Sequence, residues 1–166
     1  SLDSGGILLV KRCLVGEKTY GELEQALSLL AAEAATEAVA LLEKGDAQLL
    51  IQDEAKATYC KKITKADGKI NFENSAERIC RLVRAMNPEP VAYCMRGGVA
   101  LNILRAQPCD GAGAAGEVLS ADKRGITVAC GGGALLITEL VPSGGKRMRA
   151  SDYVNGRKIK TGDKLD

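Results

Sequence analysis

The sequence predicts an α+β chain: a strand and a long helix, then a linker, one further helix and a barrel or sandwich of five short strands. Three observations carry this. Apolar residues recur at helical spacing between capping signals over 19–45 and again over 74–86. After Pro90 the pattern changes to short apolar segments separated by glycines.

"ILLVKRCLV" (7–15) is apolar and β-branched, ends at Gly16 and reads as a strand. "TYGELEQALSLLAAEAATEAVALLEKG" (19–45) is the clearest helix. Thr19 and Glu22 form a capping box, Leu23, Leu27, Leu30, Ala34 and Leu41 make its apolar stripe, and Gly45 suits the left-handed end. Residues 46–71 lack periodicity and carry Lys56, Lys61, Lys62, Lys65 and Lys69, so they read as a basic linker with a short strand near "ATYCKKI" (57–63). In "NSAERICRLVRAM" (74–86) Asn74 caps a helix with Glu77 three residues on, Ile79, Leu82, Val83 and Met86 face inward, and Asn87-Pro88 stops it. "VAYCMR" and "VALNILRAQ" flank Gly97-Gly98, a pair suited to a type I′ hairpin. "GEVLSA" (116–121), "GITVAC" (125–130) and "ALLITELVP" (134–142) complete five strands, which fit an OB-type barrel. "SDYVNG" (151–156) reads as a short helix ending at Gly156.

Composition sets bounds on the chemistry. The 166 residues hold 46% hydrophobic and 27% charged residues, which is globular, but only 3% aromatics and no Trp, so the core must be aliphatic. The net charge of +2 hides an asymmetry: residues 1–51 hold 4 Lys/Arg against 8 Asp/Glu, and the remainder is basic. A chain that begins Ser-Leu-Asp without Met has the look of a fragment or a processed product. Six cysteines without CxxC spacing and the absence of His exclude a Cys/His zinc site, so no metal is expected. Scattered thiols without a signal peptide or a long apolar run read as a reduced, cytoplasmic chain with no membrane role. General acid–base catalysis would fall to carboxylates, Lys or Cys, and no constellation of these stands out. Gly131–Gly133 precede a strand and lack a following Lys-Ser/Thr, so they form no phosphate loop.

Basic surface remains. Lysines 56–69, the arginines at 78, 81 and 84, and a cluster of Lys146, Arg147, Arg149, Arg157, Lys158 and Lys160 are its three parts. Solvated surface is the plain alternative, but the last cluster follows Gly144-Gly145 on an OB-type scaffold that commonly meets nucleic acid. Few aromatics disfavour base stacking and point to a sequence-blind grip on the phosphates of a folded RNA. In that reading Lys146, Arg147 and Arg149 form a phosphate clamp, with Lys61 and Lys62 across the linker and Lys158 beside it. Arg84, Asn87 and Pro88 read as structural, the arginine serving the last carbonyls of its helix.

Several segments resemble the methionyl-tRNA formyltransferase family. "RLVRAMNPEPVAY" is similar to its Arg-Ala-x-Asn-Pro-x-Pro helix end, "TYCKKITKADGKINFENSAERI" to its linker, and "GGKRMRASDYVNG" to its Gly-Lys-Lys-Arg-Met close. "SLDSGGILL" resembles the Leu-Asp-Thr-Gly-Asp-Ile-Leu end of the family's formyl-transfer domain. Gly6 for Asp, Phe72 for Trp and Cys60 for Ala are the departures. The resemblance implies residues 1–45 as the end of a Rossmann-like formyl-transfer domain, 46–71 as linker and 72–166 as an OB-like tRNA-binding barrel. It implies formyl transfer from 10-formyltetrahydrofolate to the methionine of initiator Met-tRNA. The family's Asn, His and Asp catalytic residues lie upstream of the position matching Leu2, so this chain alone should be an inactive monomer that holds neither catalytic residue nor cofactor. A sugar-nucleotide formyltransferase or formyl-folate hydrolase tail, with no RNA role, and an OB-like protein-interaction module are the competing readings.

Overall fold

The computed structural model describes residues 4–156 and 158–166 and divides into two compact units, Ser1–Lys62 and Ile63–Asp166. The seam therefore falls inside the stretch expected to be linker. The start of "SLDSGGILL" and Arg157 lie outside the described residues.

In the first unit, helix α1 spans Tyr20–Lys44 with the expected ends. The Glu22 N–H donates to Thr19 Oγ1 at 3.2 Å, the Thr19 N–H donates to Glu22 Oε2 at 2.8 Å, and Gly45 takes φ 73°. Leu23, Ala26, Leu30, Ala34, Ala38 and Leu41 are half-buried at three- and four-residue spacing, whereas Leu27 of the expected stripe is exposed. No residue of α1 is fully buried. By length and composition α1 could cross a membrane, a feature the sequence reading did not register. Residues 7–15 are not a strand. Ile7 alone forms a bridge, exchanging two 2.8 Å hydrogen bonds with Leu50, because a strand needs a continuous partner to complete its ladder. Lys11 instead pairs with Glu37 of α1 at 2.7 Å. The strand expected over 57–63 is also absent. That stretch is irregular and follows a 3₁₀ turn, Glu54–Lys56, capped by the Asp53 side chain.

In the second unit, α2 spans Ala76–Ala85 and is capped by Ser75 rather than Asn74. Asn74 is already committed to the preceding turn, its side-chain amide donating to the Asn71 carbonyl at 3.2 Å. Ala76, Ile79, Cys80 and Val83 are buried and Leu82 packs at the core margin, so the helix seats its apolar stripe on β2.

The strands are β1 (Ala92–Arg96), β2 (Val99–Cys109), β3 (Val118–Asp122), β4 (Gly125–Ala129), β5 (Ala134–Pro142) and β6 (Met148–Arg149). All pairings are antiparallel in the order β1-β2-β5-β4-β3, with β6 on β5. Gly97 and Gly98, at φ 55° and 79°, make the β1–β2 turn with both central residues left-handed, as the sequence implies. The expected count of five strands misses β6, two residues hidden inside the basic cluster. Helix α3 (Ala150–Asn155) follows and packs on β4 and β5.

The C-terminal segment links the two sheet edges. Met95 of β1 exchanges backbone hydrogen bonds of 2.7 and 2.9 Å with Asp166. Before β3, the Leu165 N–H donates to the Gly116 carbonyl at 2.8 Å, and in β3 the Val118 N–H donates to the Asp163 carbonyl at 2.8 Å. Leu165 is buried in the core, whose aromatic members are Phe72 and Tyr153.

The triple glycine has a packing role. The Gly131 N–H reaches the Phe72 carbonyl at 2.8 Å, and a Cβ at Gly131 would lie 1.9 Å from the Glu73 carbonyl oxygen. Gly132 supplies the carbonyl that accepts from the Ala76 N–H at the start of α2, at 2.9 Å. Gly131→Ala should therefore cost about 2–4 kcal/mol in denaturant unfolding. Gly132→Ala, whose Cβ would meet Ser75 Cβ at an ordinary 3.4 Å, should cost less than about 1 kcal/mol.

Candidate nucleic-acid interface

The basic cluster of the second unit flanks helix α3, with a turn and a short strand before it and Lys158 and Lys160 after it. Pro142 and Gly145 close the turn through a 2.9 Å N–H···O bond, with Gly144 at φ 69°, a conformation side-chain-bearing residues rarely take. Lys146 and Arg147 follow on the exposed surface, then Met148 turns inward and Arg149 outward as β6 pairs with β5. The register sets Arg149 opposite Glu139, and Arg147 Nη2 makes an ion pair with Glu139 Oε2. The expected clamp thus encloses a carboxylate. Glu139 neutralises part of the positive charge and fixes the guanidinium that it holds.

Lys158 lies beyond α3, exposed, with its ammonium 5.7 Å from the centre of the Tyr153 ring. No carboxylate partner for Lys158 occurs among the described residues. Lys61 and Lys62 are exposed at the end of the first unit, while Lys146, Arg147, Arg149 and Lys158 belong to the second.

Arg84, Asn87 and Pro88 form the corner after α2. Arg84 is half-buried in the last turn and Pro88 is exposed. The Asn87 side-chain amide donates to the Leu104 carbonyl at 2.8 Å. Leu104 is skipped by the β2–β5 register between Ile103 and Arg105, so Asn87 satisfies a carbonyl at a bulge and ties the helix end to β2. Val91 closes the corner at φ 68°, its N–H donating to the Met86 carbonyl at 2.8 Å.

Asp163 stands among basic residues, where the sequence suggests a surface ion pair, but sequence reasoning missed its partner, Arg96, which lies 67 residues away and leaves no local signal. Arg96 Nη2 donates to Asp163 Oδ2 at 2.8 Å, and the Lys160 backbone N–H donates to the same oxygen at 3.1 Å. The Arg96 hydrogen bond holds the Asp163 carboxyl below its ordinary range, and Asp163 in turn holds the Arg96 guanidinium above its own. Burial raises the Cys94 thiol to about 12 and the Cys130 thiol to about 11, so both are protonated and poor nucleophiles at neutral pH. No cluster of three or more His, Cys, Asp or Glu that could hold a metal occurs among the described residues.

Residues 62–158 match the family model of the formyl transferase C-terminal domain. The chain is 41% identical over 160 residues to a methionyl-tRNA formyltransferase of Pseudomonas putida, covering 96% of this chain and 52% of that protein. It is 40% identical over 167 residues to a methionyl-tRNA formyltransferase of Coxiella burnetii, covering 99% and 52%. The chain thus spans about half the length of the curated relatives it matches. The crystal structure of HypX from Aquifex aeolicus in complex with tetrahydrofolic acid has the same fold over 93% of this chain and 28% of that one, with a TM-score of 0.70 and 20% identity.

Two expectations follow from the polar geometry. Asn87→Ala strands the bulge carbonyl of Leu104 and should lower unfolding stability by about 1–2 kcal/mol. Asp163→Asn should cost about 1–2 kcal/mol at neutral pH, a figure reduced for the partial exposure of the pair. Because the folded pKa of Asp163 is depressed, its contribution is complete above the unfolded value of about 3.9 and lost as pH falls through the folded one. The gap between parent and variant should accordingly close in unfolding curves recorded below about pH 4.

Proposed function

The chain belongs to the formyl transferase C-terminal domain family, and on that premise we propose that it is the RNA-gripping part of a methionyl-tRNA formyltransferase. Such an enzyme moves the formyl group of 10-formyltetrahydrofolate onto the amino group of methionine carried by initiator tRNA. In this reading the first 45 residues close a Rossmann-like formyl-transfer domain and residues 46–71 are its linker. The second-unit sheet is an OB-like barrel, closed by the C-terminal segment. The formyl donor and the catalytic residues belong to the half of the relatives that this chain does not match, and the enzyme works as a cytoplasmic monomer.

One observation carries the RNA assignment: exposed Lys146, Arg147 and Arg149 follow one another on a turn and strand whose position the sheet register fixes. Cations on an exposed edge neutralise phosphates and release counterions without reading bases, so they supply affinity and orientation. Relatives named for the tRNA enzyme at about 40% identity favour this reading over a sugar-nucleotide or folate enzyme.

The test is tRNA binding at several salt concentrations. Lys146→Ala and Arg147→Ala should each weaken initiator and elongator tRNA about equally and reduce the slope of log K against log salt by roughly 1 at most. Glu139→Gln should strengthen binding, because it releases the Arg147 guanidinium from its ion pair. Unchanged affinity and salt slope in the double Lys146→Ala, Arg147→Ala variant would return the cluster to plain solvated surface.

A further inference from the structure

Beside the basic turn the second unit has a cleft of about 390 Å³, within the range of roughly 300–1,000 Å³ for pockets that hold small ligands. Val99, Leu101 and Pro142 give it an apolar wall, and Arg96, Tyr153 and Lys158 supply its polar groups. Leu101 and Pro142 face each other across the β2–β5 register, and Arg96 and Val99 flank the hairpin turn, so the sheet holds the wall in place.

The two cations are differently prepared. Arg96 is anchored by Asp163, whose side chain is only 18% exposed. A guanidinium carries five N–H donors, so a single carboxylate bond orients it and leaves others to meet a second acceptor. Lys158 stands over the Tyr153 ring and has no ion-pair carboxylate among the described residues. Val99, a β-branched residue that would ordinarily be covered, is 56% exposed at the rim. An oriented donor fork, an ammonium over an aromatic ring and an open apolar wall suit an anion that carries a flat or apolar body.

We propose that this cleft binds one nucleotide unit of RNA, its phosphate between Arg96 and Lys158 and its sugar and base against Val99 and Pro142. The inference rests on the RNA reading above and adds to the phosphate-only grip a pocket that holds a whole residue of the strand. An unpaired or end nucleotide is the unit concerned, since a base locked in a duplex cannot turn its face to a wall.

The probes are adenosine 5′-monophosphate and inorganic phosphate, titrated into the 166-residue chain and followed by NMR of the Val99 and Leu101 methyls and the Tyr153 ring. The nucleotide should give saturable shifts at all three. Inorganic phosphate should bind about tenfold more weakly, an interval of about 1.4 kcal/mol assigned to the nucleoside contacts. Lys158→Ala, an exposed substitution, should weaken the nucleotide about tenfold, and initiator tRNA should displace it from the parent chain. If tRNA binds and responds to Lys146→Ala, yet the nucleotide gives no saturable shift or binds no tighter than phosphate, the cleft assignment alone is overturned. If the chain binds no tRNA, the RNA reading falls and the cleft loses its RNA role with it.

Discussion

The second unit depends on one constraint: both edges of its sheet are hydrogen-bonded to the same five-residue segment, Gly162–Asp166. An edge strand exposes a row of unpaired amides and carbonyls, and a twisted sheet of five strands has two such rows. Here Met95 pairs with Asp166, Gly116 with Leu165, and Val118 with both Gly162 and Asp163. Leu165 descends between them into the core at 1% exposure. The Arg96–Asp163 pair adds a side-chain bond to the same closure, so the β1–β2 hairpin and the chain end hold one another.

That closure carries consequences for the polar surface. Without Asp163, Arg96 beside the hairpin turn would lose the carboxylate that orients it, and its long side chain would give up more rotamer freedom on meeting a ligand. Held by Asp163, it presents a set direction. The same economy governs the basic turn, where Glu139 on the central strand β5 holds Arg147 and lies opposite Arg149. A carboxylate inside a positive cluster lowers its total charge but fixes the geometry of what remains. If the partner is the proposed RNA, whose phosphates recur at set intervals, fixed geometry is the more useful property.

Much of this order was legible in the sequence, and the parts that were not share a cause. Helix α1 and its two caps and the Gly97-Gly98 hairpin rest on interactions within a few residues, which period and capping chemistry report directly, and strands β3 to β5 were visible as apolar segments bounded by glycines. The helix stop at Asn87-Pro88 was equally visible, but the bond from Asn87 to the Leu104 carbonyl was not, because nothing local marks the bulge in β2. Residues 7–15 show the opposite error. Their composition suits a strand, but strand formation is decided by a partner, and only Leu50 supplies one among the described residues. The basic cluster was found by composition alone. Its internal ion pair, the strand β6 and the Arg96–Asp163 link all required the fold.

The glycines 131–133 show how function and packing can be confused at the level of sequence. A glycine run invites a phosphate-binding reading because its backbone amides are open to an anion. Here the Gly131 amide is taken by the Phe72 carbonyl and reaches the Asn74 carbonyl at 3.1 Å, while the Gly132 carbonyl receives the Ala76 N–H. The run is therefore a seat for α2, and the Gly131 amide, which an anion would need, is already used. On the proposed reading, phosphate contacts fall instead to side chains around β5. That strand pairs with β2, β4 and β6 at once, so Glu139, Pro142 and the turn that follows are positioned by three ladders rather than one. The two polar features of this unit, the basic turn and the cleft beside it, meet at Pro142 and Ser143, where the best-supported strand of the sheet ends.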